Sequence, residues 1–279
     1  MLRNTFVHIP GIGLKTEQQL WAAGIRSWDD VAGPAPAPPG VPAAKLNLIA
    51  AHSERLSDSC LQDPGYFADL LSSSHHWRLF PHFREATAYL DIETTGTGWD
   101  DCITTIALYD GTTVATYVQG RNLEDFVEDI RRYEALVTYN GKCFDIPIIE
   151  RYFGIRLEQV HLDLRFLLHQ LGYRGGLKGC ERQLGLDRGE LDGVDGYFAV
   201  LLWQEYQRSG NPAVLETLLA YNVEDTVNLE TLMVYAFNLN LQQTPFEASH
   251  RLPLPSPPML PYRPDRHLLD RLKARLQAF

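Results

Sequence analysis

Hydrophobic and polar residues in the middle of the chain follow the periods of strands and helices. Short apolar runs bounded by glycine or Asp-Gly turns predict strands, and two such runs joined by Asp-Gly predict a hairpin. Longer stretches with apolar residues three and four positions apart predict helices. In chain order the pattern gives a strand from about Thr87 to the turn at Gly96, a hairpin of residues 102–109 and 112–118, a helix over 123–133 and a strand over 136–140.

Helices dominate the remainder of this middle region. The apolar spacing predicts them over residues 146–153, 164–171, 177–184, 195–208 and 212–237. Strands followed by helices in this order indicate an α/β fold with a mixed sheet, in which two neighbouring strands bring their ends together at one edge.

The start of the chain differs from the middle in composition. Pro10-Gly-Ile-Gly13 predicts a tight turn leading into a helix, which Thr16 can cap. A run rich in proline and alanine, Gly33 to Pro42, then predicts a connector, and a second helix is expected over about 43–56. We therefore expect residues 1–80 to form a small helical module.

The end of the chain, residues 244–279, is rich in proline and then becomes helical again. The prolines between 253 and 264 are too closely spaced for regular structure. From Asp265 the spacing predicts a short basic helix, which could dock on its own domain or face phosphate. Its apolar side carries Leu268, Leu269, Leu272 and Leu276. This leaves an α/β domain over 84–243 between the N-terminal module and a proline-rich tail.

Composition is that of an ordinary globular protein, with 45% hydrophobic and 22% charged residues. No stretch approaches the roughly 18 apolar residues of a membrane span, and the first residues lack the order of a signal peptide, so we expect a cytoplasmic protein without membrane contact. The four cysteines stand far apart, which favours reduced thiols. The formal net charge is −10, but the acidic excess lies in the middle region, where bound cations would reverse the field that a phosphate meets.

Three acidic motifs are candidates for chemistry. Asp91 and Glu93 lie two apart on a predicted central strand, where paired carboxylates are costly unless a cation compensates them. Asp145 follows the next predicted strand and could bind a cation or serve as the N-cap of the helix after it. Tyr221 and Asp225 lie four apart in a helix and share a face, a spacing that also suits an ordinary helix surface. The conjunction of the three motifs makes these ordinary explanations less favoured.

The order of these motifs resembles that of the DEDD exonucleases. The matching segments are Asp91-Ile-Glu93-Thr, Asn140-x-x-x-Phe144-Asp145 and Tyr221-x-x-x-Asp225. The tyrosine is typical of the DEDDy branch, which includes the proofreading exonucleases of DNA polymerases, whereas the histidine branch would have His at the place of Ala220. The whole chain is also similar to bacterial ribonuclease H-like domain-containing proteins that begin with a Pro-Gly-Ile-Gly segment. The resemblance implies an RNase H-like mixed sheet flanked by helices over about residues 86–240.

The resemblance also implies an activity. The implied activity is that of a metal-dependent 3′-to-5′ exonuclease. Such an enzyme would hydrolyse phosphodiester bonds at the 3′ end of DNA, with single strands favoured, and release 5′-mononucleotides. Two Mg²⁺ or Mn²⁺ ions would be held by Asp91, Glu93, Asp145 and Asp225, since such ions prefer oxygen ligands, and Tyr221 would lie beside the attacking water. The same chemistry on RNA and an inactive nucleic-acid-binding scaffold are the alternatives.

Substrate contacts are expected on the strand ends and the helix starts around these acids. The resemblance implies contacts from Asn140, from Phe144 and from the backbone of Thr94 and Thr95. Phe144 could equally be a core residue. Lys178 follows paired glycines at a predicted helix start, where its charge and the free amides could meet a phosphate. Asp163 precedes another helix and is interpreted as its N-cap. The N-terminal Pro-Gly-Ile-Gly resembles half of a helix-hairpin-helix, which would contact a backbone phosphate or act only as a packing module.

Overall fold

The computed structural model of the chain describes residues 1–31, 40–55, 58–96, 98, 102–191, 193–194 and 196–277. Most of the connector expected from Gly33 to Pro42 lies outside these residues, as does the side chain of Leu276. Within the described part of the chain, no helix combines the length and the apolar character needed to cross a membrane.

Strands occur in the middle of the chain, and helices occupy both ends. The α-helices before the sheet are α1 (Leu14–Ala22), α2 (Ala43–Ser53), α3 (Asp58–Gln62), α4 (Pro64–Leu70) and α5 (Phe80–Phe83). The sheet region contains β1 (Thr87–Thr94), β2 (Ile103–Tyr109), β3 (Val114–Val118), α6 (Phe126–Asp129), β4 (Ala135–Thr138), α7 (Asp145–Phe153), β5 (Val160–Asp163) and α8 (Leu164–Gln170). The later helices are α9 (Gly176–Leu184), α10 (Gly196–Ser209), α11 (Pro212–Leu241), α12 (Glu247–His250) and α13 (Arg266–Gln277). Short 3₁₀ helices cover Leu2–Asn4, Trp28–Val31, Ser73–Arg78, Arg84–Ala86, Leu123–Asp125, Ile130–Arg132 and Gly189–Leu191.

Two compact units share these elements. The first comprises residues 1–85 and 235–253, and the second comprises residues 86–234 and 254–279. This division differs from the three consecutive parts expected from the sequence, because the residues after 234 are distributed between the two units.

The first unit is helical and is organised around a buried carboxylate. Glu17 in α1 accepts hydrogen bonds from the backbone amides of Phe6 (2.7 Å) and Val7 (3.2 Å). It also forms a two-pronged ion pair with Arg78, at 2.8 and 2.9 Å. The predicted capping role of Thr16 is wrong, because α1 already begins at Leu14 with Gly13 in the N-cap position.

The second unit contains a five-stranded mixed sheet in the order β3-β2-β1-β4-β5. β1 pairs antiparallel with β2 and parallel with β4, while β2 and β3 form the predicted hairpin and β4 and β5 are parallel. β1 is therefore the central strand, as expected for a segment that is buried along nearly its whole length. The α/β fold with an RNase H-like mixed sheet flanked by helices is confirmed.

The two faces of β1 have different chemistry. Ala88, Leu90 and Ile92 belong to an apolar cluster that also contains Phe126 and Ile149. Because side chains alternate along a strand, Asp91 and Glu93 point to the opposite face. Alternation thus separates the acidic pair from the apolar core beneath the sheet.

The C-terminal segment packs on the second unit. Leu268, Leu269 and Leu272 of α13 are buried in one cluster with Phe198 of α10 and Leu218 of α11. This is the docked arrangement, one of the two alternatives left open for the basic helix. As expected, no helix or strand occurs among the proline-rich residues 251–265, all of which the structure describes.

Two elements of this region differ between the sequence prediction and the structure. The helix expected over 123–133 is split into a 3₁₀ turn, α6 and a second 3₁₀ turn. Its buried residues Leu123, Phe126 and Ile130 are spaced by three and four, and the three-residue spacing fits a 3₁₀ turn as well as an α-helix. The short edge strand β5 was not predicted, because Val160 and Leu162 are its only apolar residues, whereas the equally short β4 contains the continuous apolar run of residues 135–137.

We predict that His161 on β5 makes the fold sensitive to acid. Burial lowers the pKa of this imidazole to about 3, well below its usual value. The unfolded chain therefore binds the proton first, and the stability contributed by the neutral ring is lost as the pH falls from about 6.5 towards 3. Urea unfolding of the wild type should lose about 1–2 kcal/mol more between pH 7 and pH 5 than unfolding of His161→Gln, a figure reduced for partial exposure. Equal losses in the two proteins would contradict this prediction.

Candidate metal centre

The end of β1 and one face of α11 bring three carboxylates together. Asp91, Glu93 and Asp225 each offer one oxygen, and these oxygens lie within 4.8 Å of one another. Glu93 and Asp225 are buried, and Asp91 is partly buried. The register of β1 with β2 shifts between Glu93 and Thr94. The structure thus places the first and third acidic motifs in one cluster.

The electrostatics of this cluster favour a positive ion. Burial raises the pKa values of Asp91 and Glu93 well above their usual ranges, and the neighbouring carboxylates raise them further. Like charges held together in a poorly solvated place are compensated by protons or by cations. The donors are hard carboxylate oxygens, which suit Mg²⁺ or Mn²⁺, so the residues present fit a divalent ion.

Asp145 lies beside the cluster but outside the group of three. It is the first residue of α7, and its Oδ1 accepts a hydrogen bond from the amide of Ile92 at 3.2 Å. The N-cap position belongs to Phe144, so the alternative of Asp145 as the N-cap is not what the structure shows. Burial raises the pKa of Asp145 to about 7, and its charge is among those that raise the pKa of Asp91.

Tyr221 is almost completely buried, on α11 one turn before Asp225. Burial raises the pKa of its phenol above the usual value, and the charges of Asp225 and Glu93 act in the same direction. The ammonium group of Lys178 lies 4.1 Å from the centre of its ring. The ring is therefore next to the carboxylate cluster, as the motif spacing predicted.

Two cations contact Asp225. Lys178 Nζ donates to Oδ1 at 2.9 Å and to Oδ2 at 3.0 Å. Arg188 also donates to Oδ1, and its other terminal nitrogen binds both oxygens of Glu181 at 2.9 and 2.8 Å. Asp225 is therefore hydrogen-bonded to two cations in addition to having Asp91 and Glu93 as acidic neighbours.

Asp91 is held by a polar chain of a different kind. The side-chain amide of Asn222 donates to Asp91 Oδ2 at 2.7 Å and to the backbone carbonyl of Asp91 at 3.2 Å. The amide oxygen of Asn222 accepts from the hydroxyl of Thr105 on β2 at 3.0 Å. Thr105 and Asn222 are completely buried, so this chain fixes the orientation of the carboxylate.

The carboxylates open into a cavity of about 680 Å³. Arg165 and Arg174 lie on its wall and are exposed. Their guanidinium groups donate to uncharged oxygens, those of Asn140 and of the backbone carbonyls of His169 and Tyr173. Aromatic residues on the wall are Tyr139, Phe144, Tyr173 and Tyr221. The carboxylates thus form the floor of this cavity, and its wall carries basic and aromatic side chains.

The expected substrate residues fall into two groups. Thr94, Asn140, Phe144 and Lys178 line the cavity. Thr95 is not among the lining residues, and its amide donates to the carbonyl of Cys102, so this donor is already used.

The residues that line the cavity have further partners. Phe144 is also packed against the apolar cluster beneath the sheet, so both of its expected environments are present. Asn140 has a φ of 69°, in the left-handed region that asparagine adopts more readily than most other residues, and its backbone amide donates to the carboxylate of Asp163. Asp163 is the N-cap of α8, as predicted, and it also accepts from the amide of Lys142.

The N-terminal Pro-Gly-Ile-Gly segment belongs to the first unit. Gly11 has a φ of 88°, which fits the predicted tight turn. Its carbonyl accepts a hydrogen bond from Lys45 of α2, so the turn is tied to the helix that follows. Phosphate contact by this turn stays a prediction.

Several residues at the centre were not found from the sequence. Asn222 lies inside the third motif, and an amide between two motif residues on a buried helix is the signal that could have identified it. Arg188 and Glu181 meet only because the loop after α9 turns back towards α11, and no spacing in the sequence indicates this.

A family model described as the RNase H superfamily matches residues 88–237, slightly more than half of the chain. The chain belongs to the RNase H superfamily. The match contains every residue of the carboxylate cluster and supports nuclease activity in general, commonly with divalent metals. No curated protein matches the chain. Among solved structures, the chain is similar to a family B DNA polymerase from the archaeon Pyrobaculum calidifontis, with 16% identity and a TM-score of 0.43 over 56% of this chain and 24% of the polymerase chain.

We predict that the hydroxyl of Thr105 stabilises the protein through Asn222. Thr105→Val should lower the free energy of unfolding by about 1–3 kcal/mol, because the buried amide oxygen of Asn222 loses its donor. Urea denaturation in EDTA measures this change.

Thr104→Val is the matched control for this experiment. Thr104 is equally buried on the same strand, and its hydroxyl has no hydrogen-bond partner within the described residues. Its loss should leave stability unchanged or increase it. If both variants lost the same stability, the polar chain would not be the cause.

Proposed function

We propose that this protein is a metal-dependent 3′-to-5′ exonuclease that acts on DNA, with single strands favoured. The observation that carries the proposal is the group of three carboxylate oxygens within 4.8 Å of one another, on the floor of a cavity in an RNase H superfamily domain. The order of the motifs, with a tyrosine one turn before the last aspartate, supports an exonuclease of the DEDDy type. Release of 5′-mononucleotides follows from that resemblance.

Asp91, Glu93 and Asp225 would hold the divalent ions, with Asp145 as the nearest further carboxylate. Two bound Mg²⁺ or Mn²⁺ ions would supply an activated water and stabilise the charge on the attacking and leaving oxygens. Asn222 and the amide of Ile92 orient Asp91 and Asp145, so part of the ligand arrangement exists before any ion binds. Such preorganisation lowers the cost of binding.

Tyr221 is assigned to the water that attacks the phosphodiester bond. It is buried beside the carboxylate cluster, with the ammonium group of Lys178 4.1 Å from the centre of its ring, and it lines the cavity. From this place its hydroxyl can position the water or receive its proton, while the ring stays fixed by the helix. Tyr221 therefore acts on turnover rather than on binding of the strand.

The wall of the cavity suits a single strand. Base stacking on aromatic rings together with cationic contacts to the backbone is the usual means by which proteins hold unpaired nucleic acid. Tyr139, Phe144 and Tyr173 provide rings. Arg165 and Arg174 provide positive charges, and their guanidinium groups donate hydrogen bonds to uncharged oxygens. Lys178 on the floor would contact the phosphate nearest to the cleaved bond.

End-labelled oligonucleotides test the proposal. Purified protein is incubated with single-stranded DNA and RNA labelled at the 5′ end, with Mg²⁺, with Mn²⁺ or with EDTA. A ladder that shortens from the 3′ end in metal and not in EDTA is expected, with DNA degraded faster. Faster degradation of RNA would replace DNA by RNA as the substrate and leave the metal-dependent 3′-to-5′ activity as proposed. Equal binding in EDTA without any shortening would instead identify a scaffold and overturn the proposal.

We predict opposite stability effects for two substitutions that both abolish cleavage. Asp91→Asn should leave the metal-free stability unchanged or raise it, because like-charge repulsion is relieved. Asp225→Asn should lower it by about 1–3 kcal/mol, because Lys178 and Arg188 lose a charged acceptor. Unfolding in EDTA and the oligonucleotide assay measure the two properties. Near-normal cleavage by either variant would remove that residue from the site.

We predict that Tyr221→Phe lowers turnover by about 10²–10⁴-fold with nearly unchanged KM, since loss of general acid–base assistance or water positioning has this size. Steady-state kinetics on a single-stranded oligonucleotide measure both constants.

Tyr206→Phe is the control for the loss of a hydroxyl. Tyr206 lies on α10, and its hydroxyl accepts from Arg121 rather than facing the carboxylates. This variant should keep normal kcat and KM. A fully active Tyr221→Phe protein would mean that the tyrosine has no part in the reaction.

A further inference from the structure

Arg188 connects the carboxylate cluster to a second, fully buried carboxylate. Its side chain is 3% exposed, and the side chain of Glu181 is 0% exposed. One terminal nitrogen of Arg188 binds both oxygens of Glu181, and the other donates to Asp225 Oδ1. The amide of Asn228, one turn after Asp225 on α11, donates to Glu181 Oε1 at 2.8 Å. The guanidinium group is thus held from both sides.

The two cations on Asp225 differ in how firmly they are held. Lys178 has a side chain that is 26% exposed, lines the cavity and donates to Asp225. Arg188 is buried, and its charge is already balanced by Glu181. The hydrogen bond from Arg188 to Asp225 therefore orients the carboxylate but is not needed to neutralise it. The hydrogen bonds from Lys178 to Asp225, by contrast, can be replaced by contacts with another group in the cavity.

We infer that Arg188, held by Glu181 and Asn228, is a positioning residue that fixes the carboxylate of Asp225 for metal binding. This inference rests on the proposed function. Arg188 donates a hydrogen bond to Oδ1 of Asp225. Among the hydrogen bonds of the described residues, Oδ2 accepts only from Lys178, whose contact can be replaced. Partners that orient metal ligands in this way contribute about 10–100-fold to metal affinity or activity.

The double substitution Arg188→Met/Glu181→Gln separates positioning from stability. Arg188→Met alone would leave the buried carboxylate of Glu181 without its cation and Asp225 with Lys178 alone, and this could unfold the protein. Replacing Glu181 by Gln at the same time removes one negative charge and keeps an oxygen acceptor for Asn228. The folded double variant therefore lacks the orienting contact while the buried charge stays balanced.

Arg78→Met/Glu17→Gln is the matched control. Arg78 and Glu17 form an equally buried, two-pronged ion pair in the first unit, with side chains 3% and 0% exposed. The same substitutions there remove the same chemical groups. We expect this control to change the thermal midpoint and to leave Mn²⁺ affinity and kcat within about twofold of the wild type.

Mn²⁺ affinity is measured by electron paramagnetic resonance on the full chain without nucleic acid, with thermal unfolding and oligonucleotide kinetics alongside. The Arg188→Met/Glu181→Gln variant should bind Mn²⁺ about 10–100-fold more weakly and lose kcat to a similar extent. If it does not fold, Arg188→Lys is measured instead, and the same loss is expected. Lysine keeps the charge but lacks the planar fork through which Arg188 contacts Glu181 and Asp225 with separate nitrogens.

The outcomes separate the inference from the function on which it rests. A folded variant with Mn²⁺ affinity within about twofold of the wild type overturns the positioning role and leaves the proposed nuclease intact. A wild-type protein that binds no Mn²⁺ overturns both. Weaker Mn²⁺ binding by the variant supports the inference even before a substrate is identified.

Discussion

Repulsion among carboxylates at the end of the central strand is the constraint on which this domain depends. Asp91 and Glu93 are forced onto one face by strand alternation, and α11 adds Asp225 to them. Burial removes most of the water that would screen such charges, so the surrounding protein must compensate them. Asn222 provides a hydrogen bond to Asp91, Lys178 provides positive charge to Asp225, and Arg188 adds a further hydrogen bond to Asp225. The fold is therefore arranged to keep an intrinsically unfavourable cluster in one geometry.

α11 unites packing and chemistry in one element. Its apolar residues, including Leu218 and Leu219, lie in the same core as α10 and α13. Asn222, Asp225 and Asn228 are spaced by three and form a polar row that makes contacts with β1 and with the residues around α9. Because the apolar packing fixes the rotation of the helix about its axis, the same interactions that stabilise the domain also aim the polar row. A substitution among the apolar core residues of α11 would therefore also change the orientation of the polar row at the carboxylates.

The sequence predicted those helices and strands whose hydrophobic pattern is clear. It predicted the carboxylates whose spacing fixes the direction of their side chains. The hairpin, the central strand and the helices α7 to α11 are close to their expected bounds, whereas β5, with two apolar residues separated by His161, showed no strand pattern. Asp91 and Glu93 could be placed on one face because residues two apart on a strand point the same way, whereas Asp225 was joined to them by the resemblance of the motif order to the DEDD exonucleases. Arg188 could not, because its position depends on the path of a loop after Leu184, and loops have no repeating geometry.

The position of Lys178 links the metal to the strand in the proposed reaction. In this structure its ammonium group is bound to both oxygens of Asp225, yet the expected phosphate contact needs the same three protons. One ammonium group cannot make both sets of hydrogen bonds fully. A divalent ion on Asp225 would supply the charge that Lys178 now provides and would leave the lysine for the phosphate. Metal binding and strand binding are then coupled through one side chain, while Arg188, already balanced by Glu181, keeps Asp225 in place during the exchange.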